Sequence, residues 1–241
     1  MPKQRIDSLL LERGLVESQA KAQALIMAGE VVVDGKTVTK SGTLVADEAA
    51  IDIAKPPPFV SRGGLKLDYA LDRFQLDVSS KVVVDIGAST GGFTDCLLKR
   101  GASRVYAIDV GYGQLDYRLR RDSRVTVMER VNARYPIILA EKVDLATIDV
   151  SFISVEKVIP SVAQLLKDGG YLLVLIKPQF EARRGEVGKR GVIKQPVVHA
   201  RVLGRFTAWM IEHNFRLGGL IASPILGASG NKEFFILVKS T

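Results

Sequence analysis

The sequence predicts an α/β protein: a mostly parallel sheet with helices on both faces, preceded by a small α+β module. Three observations carry this. Beyond residue 80, short and nearly continuous apolar runs alternate with longer segments of helical period, the pattern of strands buried on both faces. Before residue 55 the elements are shorter and end at glycines. Between the two lies Lys55-Pro56-Pro57-Pro58, a stiff, extended composition that suits a tether. The expected organisation is a module over 1–55, a linker over 56–62 and a larger domain over 63–241.

Within the module, residues 3–27 read as two short helices. Ile6, Leu9, Leu10 and Arg13 share a face, Gly14 stops the first helix, and Ser18 caps the second. Ala22, Leu25 and Ile26 give the second helix its apolar side, and Gly29 ends it. Val31–Val33 is a strand, Asp34-Gly35 is a two-residue hairpin signal, and 37–39 returns. Residues 51–53 form a further strand. In the larger domain, strands are expected at 81–86, 104–110, 124–128, 144–150, 171–176, 216–222 and 234–239, and helices at 63–74, 92–100, 154–167 and 197–213.

The net charge of +8 favours a polyanionic partner, nucleic acid or an anionic membrane surface. It is unevenly placed: residues 1–55 hold 7 Lys/Arg against 8 Asp/Glu, and the remainder hold 27 against 18. The single cysteine, Cys96, excludes an internal disulfide and fits a reducing compartment. The first residues show no secretory signal, and the longest apolar run, 171–176, is far too short to span a bilayer. A soluble, cytoplasmic protein without a membrane partner is expected. His199 and His213 are isolated, so no metal site is expected.

The first strand of the larger domain runs into Asp85-Ile86-Gly87-Ala88-Ser89-Thr90-Gly91-Gly92-Phe93. Small residues there let backbone N–H groups approach a ligand at the first strand–helix crevice. Ser89 breaks the dinucleotide fingerprint at its second glycine, and Asp85 would repel a pyrophosphate while welcoming a ligand's cationic end. Asp109, followed by Val110, ends the second strand 22 residues beyond Gly87, where a carboxylate binds ribose hydroxyls. Asn132 follows the third strand and offers an amide to an adenine edge. This is the loop pattern of S-adenosylmethionine-dependent methyltransferases. It predicts a Rossmann-like, class I methyltransferase sheet with S-adenosyl-L-methionine as cofactor.

Four further residues stand at the edge where open α/β sheets bind ligands. Asp149 ends the fourth strand and Lys177 follows the fifth. Glu233 opens the last, which reaches the same edge if it runs antiparallel. Lys66 lies on the helix after Ser61-Arg62-Gly63-Gly64. A ribose hydroxyl is a poor nucleophile until a base takes its proton. Lys177 is the candidate base, Lys66 the stabiliser of developing negative charge, and the carboxylates orient both. Amino-group methylation fits less well, because Asp149-Val150-Ser151-Phe152 lacks the Pro-Pro-aromatic turn. Cytosine-carbon methylation needs a cysteine nucleophile, and Cys96 lies on the first helix after the loop.

Arg5-Ile6-Asp7, Gly14-Leu15, Val33-Asp34-Gly35, Ser61 through Leu67, the 85–93 loop, Asp149 through Ser154, and Lys177-Pro178-Gln179-Phe180-Glu181 together resemble the TlyA, or hemolysin A, family. Its members join a ribosomal-protein-type RNA-binding module to an FtsJ-like methyltransferase domain. The resemblance implies ribosomal RNA or ribosomal subunits as partner, 2′-O-methylation of cytidine, and a Lys-Asp-Lys-Glu tetrad mapping onto Lys66, Asp149, Lys177 and Glu233. Candidate RNA contacts are Lys3, Arg5, Ser18, Lys21, Lys36 and Lys40 in the module, with Arg62 beyond it. Arg183, Arg184, Lys189 and Arg190, in the glycine-rich stretch after the fifth strand, complete the set as an RNA-gripping lid. Ser18-Gln19 departs from the module's usual Ser-Arg, and Asp34-Gly35 from its usual Asn-Gly. Two other functions compete: a non-catalytic RNA-binding or ribosome-assembly factor, which would not need the tetrad, and a membrane-lytic hemolysin, which would need an apolar or strongly amphipathic segment.

Overall fold

A computed structural model describes residues 2–53, 57–183, 185–188, 190–227 and 230–240. The chain forms two compact units, Met1–Pro57 and Pro58–Thr241.

The first unit contains β1 (Lys3–Arg5), α1 (Ile6–Glu12), α2 (Gln19–Met27), β2 (Val31–Val33), β3 (Lys36–Val38), β4 (Leu44–Ala46) and β5 (Ile51–Ile53). Ile6, Leu9 and Leu10 of α1 pack on Ala22 and Ile26 of α2 and on Val31 and Val33 of β2. Gly14, at φ +66°, turns the chain out of α1, and the Leu15 N–H donates back to the Leu10 carbonyl. Ser18 caps α2 by accepting from the Lys21 N–H at 3.2 Å. Asp34 and Gly35 both take positive φ, 47° and 76°, and close the β2–β3 hairpin. Residues 3–5, expected as helix, are a strand pairing antiparallel with β4. That pairing is non-local, so helical periodicity alone does not reveal it.

The second unit carries α3 (Arg62–Arg73), β6 (Val82–Ile86), α4 (Gly92–Lys99), β7 (Arg104–Asp109), α5 (Tyr117–Arg120), β8 (Val125–Glu129) and β9 (Val143–Ile148). A 3₁₀ turn (Val155–Lys157), α6 (Ile159–Ala163), β10 (Leu166–Ile176), α7 (Pro178–Glu181), α8 (Pro196–Glu212), β11 (Arg216–Ala222) and β12 (Phe234–Lys239) follow. One seven-stranded sheet has the order β11-β12-β10-β9-β6-β7-β8, parallel except for β12. Strand alternation sends Val83, Leu145, Leu173 and Phe235 to the face of α3 and α4. It sends Val84, Ile148, Val174 and Ile236 to the opposite face, against α6 and α8. The four-residue spacing of Val198, Val202, Phe206 and Met210 is the buried stripe of α8. This is the predicted α/β architecture.

Two expectations change. The helix expected over 154–167 is a 3₁₀ turn and a five-residue helix, because Pro160 restarts the helix and Leu166 already belongs to β10. The 56–62 stretch, read as a linker, packs into the second unit from Pro58 onward: Phe59 is 8% exposed and the Val60 N–H donates to Asp95 at 2.9 Å. Lys55 and Pro56 lie outside the described residues.

Candidate active site

The strand order reverses between β6 and β9, the place where α/β sheets open a crevice. A cavity of about 440 Å³ lies there, lined by Gly87, Ser89, Asp109, Val110, Gln114, Asn132, Asp149 and the 150–153 turn. Gly87, at φ +84°, is pressed against β9's end: a Cβ there would lie 2.5 Å from the Asp149 carbonyl oxygen. Asp109 ties the rim, accepting from the Ser89 N–H at 2.8 Å and the Gly111 N–H at 2.7 Å. Asn132 folds its side-chain oxygen onto the Arg134 N–H at 3.0 Å. A glycine-floored cradle with a carboxylate on one rim and an amide on the other fits the adenosine and amino-acid ends of S-adenosylmethionine.

Ile86 also lines the crevice, and the remaining residues of the 85–93 loop build it without lining it. Asp85, expected to face the ligand's cation, is instead fully buried in the sheet. There it accepts from the Thr94 hydroxyl at 2.7 Å and the Thr147 hydroxyl at 3.1 Å. Burial pushes its pKa up to about 7 against those hydrogen bonds. Ala88 is 7% exposed, and Thr90 accepts from the Asp116 N–H through its carbonyl. Gly91, at φ +97°, starts α4. A Cβ on Gly92 would lie 2.1 Å from the Ser61 hydroxyl, so α3 and α4 meet only over glycine. Phe93 packs on Phe235 in the core, with centroids 6.2 Å apart.

Two lysine–carboxylate pairs stand at this sheet edge. Lys177 Nζ lies 2.6 Å from Asp149 Oδ1 and donates to the Ser151 hydroxyl at 2.9 Å. Lys66 Nζ donates to Glu233 Oε2 at 2.6 Å, and both residues are buried. The antiparallel run of β12 accounts for Glu233: Ile176 pairs with Phe234, which brings the residue before Phe234 beside the residue after Ile176. The lysines therefore do not pair with each other; each holds its own acid.

Residues 59–240 match the model of the FtsJ-like methyltransferase family, and residues 4–51 match the S4 domain. The chain belongs to the FtsJ-like methyltransferase family. It is 46% identical over 238 residues to YqxC of Bacillus subtilis (strain 168), covering 97% of this chain and 85% of that one. It is 42% identical over 240 residues to the 16S/23S rRNA (cytidine-2′-O)-methyltransferase TlyA of Mycobacterium tuberculosis (strain ATCC 25618 / H37Rv), covering 98% and 90%. It is 42% identical over 233 residues to Hemolysin A of Brachyspira hyodysenteriae, covering 95% and 97%. A solved structure from Streptococcus thermophilus shares 42% identity at a TM-score of 0.76, covering all of this chain and 90% of that one. An S-adenosylmethionine dependent methyltransferase from Mesorhizobium loti, at 16% identity and a TM-score of 0.55, shares the fold; the match covers 71% of this chain and 96% of that one.

Against this family background, the candidate RNA contacts divide. Lys3, Lys21, Lys36 and Lys40 are exposed. Arg5 is engaged: its guanidinium makes two bonds, at 3.0 and 2.7 Å, to the buried carboxylate of Asp7. Ser18 is occupied as the α2 cap, and Arg62 donates to the Leu226 carbonyl at 2.7 Å. Arg183 and Arg190 are exposed, whereas Arg184 and Lys189 lie outside the described residues. Among the described residues no helix is long and apolar enough to cross a membrane.

Several site residues escape a linear reading. Gln114 reaches the crevice from beyond β7 and accepts from the Ser89 hydroxyl at 3.3 Å. Phe152, at φ +64°, is 90% exposed at the crevice wall, with its ring 5.0 Å from that of Phe180. Glu181, 5% exposed, accepts from the Ser154 hydroxyl at 2.7 Å and the Val155 N–H at 2.9 Å, pinning the turn that carries Ser151 and Phe152. Its motif was visible in the sequence; the turn it holds was not.

Proposed function

We propose that this chain methylates the 2′-hydroxyl of a ribose, that of a cytidine, in ribosomal RNA, using S-adenosylmethionine, and acts where ribosomes are, in the cytoplasm. The observation that carries the reading is the Lys177–Asp149 pair, whose carboxylate forms a wall of the crevice behind Gly87. The relatives named as cytidine-2′-O-methyltransferases, and the S4 match over 4–51, support ribosomal RNA as the substrate.

S-adenosylmethionine, when bound, supplies a methyl group on a sulfonium, ready for in-line transfer. Gly87 and Ser89 would floor its site, Asp109 would take the ribose hydroxyls and Asn132 the adenine edge. Asp149 and Ser151 aim Lys177 Nζ. Held there, Lys177 is the group placed to take the proton of the attacking hydroxyl as the methyl transfers. Glu233 holds Lys66 in place to stabilise negative charge developing on that oxygen. Phe152 offers an exposed face on which the target base stacks.

The test is transfer of labelled methyl from S-adenosylmethionine to purified ribosomal subunits lacking the modification, mapped by ribose-methylation-sensitive primer extension. A single ribose stop at a cytidine is the expected result. Labelled base instead of ribose, or no transfer from protein shown to bind the cofactor, would sink the reading in favour of another substrate or a non-catalytic RNA-binding factor.

A further inference from the structure

A second cavity, of about 760 Å³, lies between the segment after α7, the start of α8 and the turn before β12. One buried amide builds its walls. Asn231, 2% exposed, accepts from the Ile193 N–H at 3.0 Å and donates to the Gly191 carbonyl at 2.9 Å. The cavity is cationic. Arg190, Lys194 and Lys232 line it, and none has an ion-pair partner among the described residues. The acidic residue among its described lining, Glu186, is taken by Arg201.

His199 stands in the first turn of the 17-residue α8 and also lines the cavity. It is 8% exposed, and its Nε2 has no hydrogen-bond partner among the described residues. Burial and the neighbouring Lys232 hold its pKa below the ordinary imidazole value. Three cations and a buried ring nitrogen, all without partners among the described residues, and a helix N-terminus make a field that an anion with several acceptor oxygens satisfies. A smaller hollow of about 400 Å³ shares His199, Lys232 and Leu226 with this cavity and is lined by Glu233. The anion site therefore opens beside the Lys66–Glu233 pair.

We propose that this cavity takes a backbone phosphate of the RNA strand carrying the target ribose, and so sets which ribose faces Lys177. Every ribose within a strand has a phosphate on each side, so a phosphate pocket next to Glu233 fixes strand register without reading a base. The inference rests on the reading that RNA is the substrate.

The chain has only two histidines, His199 and His213, so their ring nitrogens are separable by NMR in full-length protein labelled at histidine. His199→Gln assigns the signal. The probes are a synthetic single-stranded oligoribonucleotide and inorganic phosphate. The oligonucleotide is expected to move the His199 Nε2 signal. Lys232→Gln is expected to weaken RNA binding about tenfold and to reduce its salt slope by about one phosphate contact, with unchanged affinity for S-adenosylmethionine. A response to inorganic phosphate alone would overturn the RNA assignment and leave an adventitious ion only. Silence towards both probes would overturn the site. Methyl transfer by the same preparation separates the two readings: transfer with an unmoved His199 removes only the cavity proposal, whereas a moved His199 without transfer supports the cavity and removes the methylation reading.

Discussion

Gly87 and the carbonyl of Asp149 share a space too small for a side chain: a Cβ at Gly87 would stand 2.5 Å from that oxygen. The floor of the crevice and the backbone of a proposed catalytic residue are thus one contact. Gly87→Ala would strain a φ of +84° and push Asp149 away at the same time. The expected outcome is at least tenfold weaker S-adenosylmethionine binding by calorimetry, together with loss of methyl transfer. Normal cofactor affinity would show that the loop relaxes without cost.

The two lysines are expected to fail in different ways. Lys177→Ala removes the proposed base, so methyl transfer should fall by about 10² or more, with cofactor affinity nearly unchanged. Glu233→Ala leaves Lys66 buried without its partner, a change that costs about 3 to 5 kcal/mol for a fully buried pair. It should therefore lower the melting temperature as well as activity. Glu233→Gln, which keeps the shape, separates loss of charge from loss of packing. Full activity in Lys177→Ala would remove the base assignment.

Arg5 should be a stabilising residue before it is an RNA contact. Its guanidinium holds the carboxylate of buried Asp7 well below the usual range, aided by Gln23 and the Ser8 N–H. With the folded value depressed, this stabilisation is complete above the ordinary carboxylate pKa of about 3.9. It is lost as pH falls from there toward the folded value. Arg5→Ala should weaken hydrogen-exchange protection of α1 and α2 at pH 7. Its effect should shrink under strongly acid conditions, as Asp7 takes up a proton. Unchanged protection at neutral pH would return Arg5 to the RNA surface.

Asp85 predicts the opposite pH trend. Its folded pKa, near 7, lies above the unfolded value, so the folded chain binds the extra proton between about pH 4 and 7. Stability from this group is therefore full at low pH and declines as pH rises through 7. Asp85→Asn, which keeps the bonds from Thr94 or Thr147 available, should raise the melting temperature more at pH 8 than at pH 5. Equal shifts at both values would mean that the buried carboxylate does not titrate in this range.

Deleting residues 1–57 should weaken RNA binding by an order of magnitude or more. S-adenosylmethionine binding, measured on the same truncated chain, should stay within about twofold of full length, because the crevice is built wholly from the second unit. Equal RNA affinity with and without the module would deny it that role.

What was legible in the sequence followed from local rules. Asp34-Gly35 declared its hairpin because two successive positive-φ residues are required there. Asp149 and Lys177 could be set at strand ends because apolar runs stop at those residues, and Glu233 at the same edge once the last strand was taken as antiparallel. What remained hidden depended on distant partners. Asp85 is drawn into the sheet by Thr94 and Thr147, the second of them 62 residues away. Phe152 is displayed by a positive-φ turn that Glu181 pins from the end of α7. Arg5 carried the charge of an RNA contact, but nothing in its neighbours' order showed that Asp7 would be buried and claim it.

β12 is threaded between β10 and β11, both of which precede it in the chain. During synthesis β11 must therefore wait, unpaired at one edge of the sheet, until residues 234–239 have emerged. Glu233 arrives with them and meets Lys66, made 167 residues earlier. The module over 4–51 is by then long complete. A nascent chain thus completes its S4 module first, and the edge that carries Lys66 is closed only when Glu233 arrives.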